Sequence, residues 1–201
     1  VRESGANFQV TTDSGVQSRP WQLAIVPLVL DGSTWAKLET GLQQRQRVLE
    51  AVLADLLGPQ QTLKDRVLPA ELLSANPMFS RAYHELPVTG HSLHLTATDL
   101  ARDDDGTWWV TGDRTRAPSG LGFTLENRVI TSRVLPKLIR GSNVTRLASF
   151  FASLPKQLNS LAPRMRDNPR VALLTPGEAR DRYGVDAYLA RYRGFPLVQG
   201  R

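Results

Sequence analysis

The period of the apolar positions changes along the chain, and each change marks an element. Phe8-Gln9-Val10 alternates as a short strand that Asp13-Ser14-Gly15 ends. Residues 18–30 (SRPWQLAIVPLVL) are apolar with two prolines. That predicts extended chain, partly an edge strand, because proline cannot donate to a ladder. The clearest helix covers 34–57, where Trp35, Leu38, Leu42, Leu49, Val52, Leu53 and Leu56 fall on one stripe. Ser33 is placed to cap its start, and Gly58-Pro59 stops it. Its polar face, with Lys37, Arg45 and Arg47, reads as solvated. Residues 60–90, with Pro69, Pro77 and Pro87, predict short helical turns near 62–66 and 69–74.

The period becomes two over 91–115. HSLHLTATDL alternates, ARDDDG turns, and TWWVTGDRT returns, which predicts a β-hairpin about Asp105-Gly106. Opposed residues then have numbers summing to about 211, so Asp99 faces Gly112 and Ala97 faces Arg114. Side chains 99, 112 and 114 share one face, and Trp108 and Trp109 point to opposite faces. A helix follows over 122–140, with Leu125, Val129, Val134, Leu138 and Ile139 inward and a break near Pro136. Arg133, Lys137 and Arg140 take its other face. Asn143 is placed to cap a further helix with Val144, Leu147, Phe150, Phe151 and Leu154 inward, kinked or divided at Pro155. After a boundary at Pro163–Pro169, the run 170–175, a helix through Tyr188 to Tyr192, and Phe195–Val198 form a β–α–β unit with parallel strands. The organisation expected is 1–163 followed by a second α/β piece, 170–201. The missing initial Met and the open edge after Val198 predict a piece of a longer protein.

Composition narrows the chemistry. With 41% hydrophobic and 22% charged residues, the 201-residue chain is expected to fold in water. It has no cysteine, which excludes disulfides and thiolate metal sites and suits a cytoplasmic location. No apolar run has the length of a membrane span, and VRESGANFQV lacks a signal-peptide core. Net charge is +6, and seven Lys/Arg lie between Arg114 and Arg146. With few aromatics beside them they read as a solvated face, and nucleic acid is not the expected partner. His84, His91 and His94 lack metal-ligand spacing, and neither a G-x-S-x-G serine nor a GxGxxG or Walker A loop is present.

The run DRTRAPSGLGFTLENR (113–128) resembles the signature of the circularly permuted ATP-grasp proteins, a bacterial family related to glutathionylspermidine synthetase, in a subgroup with a DRT-x-APSG motif. RESGANFQV, RPWQL, ADLLGPQ, LPAELL, DLARDDDGTWWV, LLTPG and AYLARYRGFPLVQG agree with it, in order along nearly the whole chain. The resemblance implies a partial ATP-grasp α/β fold and a longer parent protein. That parent would use ATP and Mg2+ to join a small carboxylate to an amine through an acyl phosphate, and this piece alone would be inactive. A degenerate ATP-grasp serving as a binding or scaffold module is the alternative. The implied partners are ATP, the substrate, the remaining ATP-grasp part and a fused or associated helical domain.

Carried over by position, Asp99 matches the first acidic metal ligand, whereas the family's Glu position falls on Gly112 and its Asn position on Arg114. The residues agree: facing carboxylates would call for a hard cation, but here Arg114 stands diagonally opposite Asp99 and is expected to pair with it. Asp99 is therefore either a residual metal ligand or a hairpin carboxylate paired with arginine. Arg114 and Arg116 are candidates to hold phosphate or carboxylate, Arg116 in the catalytic role, or else pair with Asp113 or Glu126. Ser119 and Gly120 offer an anion-binding nest or a plain turn into the helix. Asn127 and Arg128, beside Glu126, either contact nucleotide or cap and pair.

Overall fold

The computed structural model describes residues 7–12, 14–24, 26–83, 90–162, 167–177 and 183–200. In chain order the elements are β1 (Asn7–Thr12), β2 (Gly15–Pro20), α1 (Gly32–Leu57), α2 (Gln61–Lys64), α3 (Glu71–Ser74), β3 (Ala97–Arg102), β4 (Trp108–Arg114), α4 (Leu121–Val134), α5 (Pro136–Gly141), α6 (Ala148–Ser160), β5 (Leu173–Thr175), α7 (Tyr183–Arg193) and β6 (Leu197–Gln199). This is an α/β chain with three two-stranded sheets among the described residues. It divides into two compact units: residues 29–118, and residues up to 28 together with those from 119 onward.

In the first unit, the apolar stripe of α1 sets its length, but its cap is Asp31 rather than Ser33. The Asp31 carboxylate accepts the Thr34 amide at 2.8 Å and the hydroxyls of Ser33 and Thr34. A carboxylate with extended backbone takes the orphan amide, and Ser33 becomes a helical residue that donates back to it. The Ser33 hydroxyl, then the Thr34 groups, hold the Asp31 carboxyl far below its usual range. At the other end Asp55 accepts the amides of Gln61 and Thr62, so one carboxylate folds the chain beyond Gly58 and starts α2. Glu50 accepts the amides of Ser92 and Leu93 at 2.6 and 2.8 Å, and Gln46 bonds Leu93 O and the Thr96 hydroxyl. These contacts fix the approach to β3, which starts at Ala97. His91 and His94 are exposed residues ahead of that strand, not on alternate faces of it. His84 and Pro87 lie outside the described residues.

The hairpin β3–β4 keeps the expected register at its open end: Ala97, Thr98 and Asp99 face Arg114, Asp113 and Gly112. Its turn differs. Asp103 N donates to Thr107 O, so the loop is the three residues 104–106, with Gly106 at φ 90°. A three-residue loop moves the pairing sum to 210, as at Leu100↔Val110; a bulge that leaves Thr111 extra restores 211 from Asp99 outward.

In the second unit, β1 and β2 form an antiparallel hairpin. The strand thus ends at Pro20, and residues 21–24 and 26–30 carry no strand. The core cluster is Leu125 of α4, Phe151 of α6 and Leu189 of α7. Gly122 lets α4 meet α7: a Cβ there would lie 2.5 Å from Val185 O. Strands β5 and β6 are parallel, joined through α7, as the β–α–β pattern predicts. Ile130 and Glu126 are buried on α4, whereas Val134 and Leu138 are exposed, because the helix breaks at Leu135 and the stripe does not continue through it; on α6, Phe151 is buried but Phe150 is exposed. Asn143 does not cap α6, which begins at Ala148. It sits at φ 45° in the connecting turn, a conformation asparagine tolerates. Pro155 lies inside α6 without dividing it.

Candidate functional site

The alternation of the hairpin gives each of its faces a task. One face carries Thr98, Leu100, Arg102, Trp108, Val110 and Asp113 toward α1. There Arg45 forks onto Asp113 through Nε and Nη2, with bonds of 2.5 to 3.0 Å, and the Thr98 hydroxyl donates to the same carboxylate. Arg45 is therefore not part of a merely solvated helix face. The period marked where it points; what a partner 68 residues away offers it did not show. Between α1 and the hairpin lies a groove of about 720 Å³ with Leu38, Leu42, Leu100 and Trp108 among its walls.

The opposite face carries the candidate site. Arg114 Nη2 donates to both oxygens of Asp99 at 2.5 Å, with both side chains about half exposed. Gly112, directly across from Asp99, puts nothing over the carboxylate; a Cβ there would stand 3.7 Å from Asp99 Oδ2. Asp99 raises the Arg114 pKa further above its usual value, so this cation is permanent. Trp109, 59% exposed, is tied to the turn by its indole N–H donating to Asp103 at 2.7 Å. Arg116 is exposed beyond the strand and its Nη1 lies 3.8 Å from Met78 Sδ.

The other candidates belong to the second unit, because the chain changes unit between Pro118 and Ser119. Gly120, at φ 117°, precedes α4, and its carbonyl accepts the Thr124 amide. Ser119 is exposed. Asn127 Oδ1 accepts the Trp21 indole N–H at 2.6 Å, and Trp21 stacks on Phe123 with centroids 3.8 Å apart. Asn127 thus anchors the segment after β2. Arg128 Nη1 donates to Thr145 O at 3.2 Å. Glu126, 4% exposed, lies beside the half-buried Tyr188 and helps push its phenol up, a polar neighbour that the pattern of α4 did not indicate. Glutamate within a helix gave no sign of it; only the packing of α7 on α4 does.

A family model for circularly permuted ATP-grasp type 2 proteins matches residues 27–201, and the chain belongs to that family. It is 39% identical over 191 residues to an uncharacterized protein of Mycobacterium tuberculosis, which covers 94% of this chain and 22% of that protein. It is 37% identical over 193 residues to one of Mycobacterium leprae, covering 96% and 34%. To one of Synechocystis it is 34% identical over 198 residues, covering 98% and 41%. The chain therefore spans between 22% and 41% of the length of these relatives. Among the described residues no helix is long and apolar enough to cross a membrane.

ATP-grasp proteins generally bind ATP and Mg2+, and the fit of a divalent ion to this hairpin can be tested on its donors. The face offers one carboxylate, already forked by a guanidinium, and a glycine opposite it. No group of three His, Asp or Glu that could hold a metal occurs among the described residues. A hard cation needs several oxygen ligands, so these residues do not fit Mg2+.

Proposed function

We propose that this chain is part of an ATP-dependent ligase that joins a carboxylate to an amine. Membership of the ATP-grasp family over residues 27–201 carries the reading. In such a reaction a substrate carboxylate oxygen attacks the γ-phosphorus, giving an acyl phosphate and ADP. The amine nitrogen then attacks the carbonyl carbon, phosphate leaves, and the nitrogen loses its proton. The arginines suit the anionic groups of both steps: Arg114 and Arg116 are assigned to phosphate or substrate carboxylate. Ser119 and Gly120 at the start of α4, with Asn127 and Arg128, are assigned to the nucleotide side, where backbone amides ahead of a helix favour anions. Asn127 and Arg128 would have to exchange their present bonds to Trp21 and Thr145 for that role. The kinship with glutathionylspermidine synthetase, the DRT-x-APSG subgroup and a cytoplasmic location belong to the same proposal. So does the division into an early portion, 1–163, and the start of a second α/β subdomain, 170–201.

A second reading is a degenerate ATP-grasp module that binds or organises without turnover. The Asp99–Arg114 pair favours it, since it takes up the carboxylate a metal would need. Calorimetry of the full-length parent with ATP, followed by an assay for ADP with pooled carboxylates and amines, separates the two. ATP binding with substrate-dependent ADP release supports the ligase. Binding without release supports the module, and absence of binding removes both the ligase and a nucleotide-dependent module.

A further inference from the structure

Three features fix a positive charge beside the one carboxylate of this face. The bulge at Asp99/Leu100 turns Asp99, Gly112 and Arg114 onto one face. Arg114 spends only Nη2 on Asp99. Among the described residues nothing meets its Nε and Nη1, and the side chain is 55% exposed. A guanidinium carries five donors in a fixed plane, so three N–H groups are left uncommitted on a half-exposed cation that Asp99 holds in place.

We infer that Arg114 is the resident cation of this face: it excludes a divalent metal from Asp99 and presents its uncommitted donors to an oxyanion, phosphoryl or carboxylate. Guanidinium geometry matches both ligands, and neither needs a bridging ion there. Gly112 is part of the device. Its Cβ position is in ordinary contact distance of Asp99, so a longer acidic residue would fit sterically and would restore a second carboxylate. The metal-excluding half rests on the hairpin alone. The oxyanion half rests on reading this face as part of the ligase site, and the experiment keeps the two apart.

Mn2+ is titrated into the wild-type chain and into the double variant Gly112→Glu with Arg114→Asn, with free Mn2+ read by electron paramagnetic resonance. The wild type is expected to bind no Mn2+ that depends on Asp99. The double variant, with three oxygen-bearing side chains on this face, is expected to bind at least about tenfold more tightly than wild type. Mn2+ binding by wild type that Asp99→Asn abolishes would overturn the exclusion, as would a folded double variant no better than wild type. If the double variant does not fold, as circular dichroism will show, Arg114→Gln alone replaces it: a gain of Asp99-dependent Mn2+ binding supports the exclusion and no gain overturns it. For the oxyanion, pyrophosphate and succinate are titrated separately in the presence of a chelator. Loss of about tenfold in affinity on Arg114→Gln for one probe identifies that source. No loss for either removes the oxyanion half and leaves the Mn2+ result standing. Absence of ligase turnover in the parent would alter neither titration.

Discussion

Asp113 shows how much a single side chain holds in the helix–hairpin unit, because it joins α1 to both strands of the hairpin. The Arg45 guanidinium first, and then the Thr98 hydroxyl, keep its carboxyl below the usual range. A folded-state pKa below the unfolded value of about 3.9 gives stabilisation that is complete above that value and is lost as pH falls through the lower one. Arg45→Ala is expected to cost roughly 1 kcal/mol near neutral pH, at the upper end for exposed pairs because the contact is forked. Thermal melts between neutrality and the acid range check this: the variant should lose less on acidification than wild type, and equal acid slopes would refute the coupling. Tyr188 works in the opposite direction. Burial first, then the neighbouring Glu126, pushes the phenol up to about 12. Its contribution is full below the unfolded pKa of about 10 and is lost as pH rises from there through the folded value. Tyr188→Phe removes the hydroxyl beside the buried Glu126 side chain and should cost about 1 kcal/mol, read by urea denaturation at neutral pH.

At the scale of elements, two glycines decide whether neighbours can meet. Gly122 stands where α4 crosses α7, and Gly122→Ala would drive a methyl into the Val185 carbonyl. A backbone atom cannot swing aside, so the substitution should cost about 1–3 kcal/mol, or more if the helices separate; a denaturant midpoint unchanged from wild type would contradict that packing. Gly106 lies at φ 90°, and an alanine there would also press on the Arg102 guanidinium. The hairpin was legible because its two faces alternate and Asp-Gly marks a turn. Its loop length was not, since Asp104 and Asp105 can fill either a two- or a three-residue loop. The parity of Asp99, Gly112 and Arg114 came out the same only because the Thr111 bulge cancels the extra loop residue. Elsewhere the limit was tertiary. Ser33 and Asp31 are both good caps by type, and only the direction of the Thr34 amide chooses between them. The inward assignment of Val134 and Leu138 followed a helical stripe through a break at Leu135 that resets the phase.

At the scale of the whole molecule, burial is unequal between the units. The buried hydrophobic residues among those described, Leu125, Ile130, Phe151, Val185, Leu189 and Ala190, all lie in the second unit. The first unit has a 26-residue helix with no buried residue, and Trp35 and Val48 on it are 47% and 56% exposed. Helix propensity alone leaves such a helix marginal in water, since most helical stability in proteins comes from packing an apolar face. What holds α1 here is polar: Asp31 at its start, Asp55 at its end, and Gln46, Glu50 and Arg45 on the hairpin side. The relatives it matches are more than twice its length; if, as proposed, the chain is part of a longer parent, the additional chain is expected to cover the apolar face of α1. Hydrogen exchange compares the two directly. Amides of Gly32–Leu57 should exchange at least about tenfold faster in this chain than in the full-length parent, as local opening requires where few apolar contacts resist it. Amides of α4 around Leu125 should differ little, because their core is already within the chain. Equal protection of α1 in both would mean that its side-chain hydrogen bonds alone hold the helix, and that its exposed apolar residues face solvent in the parent as well.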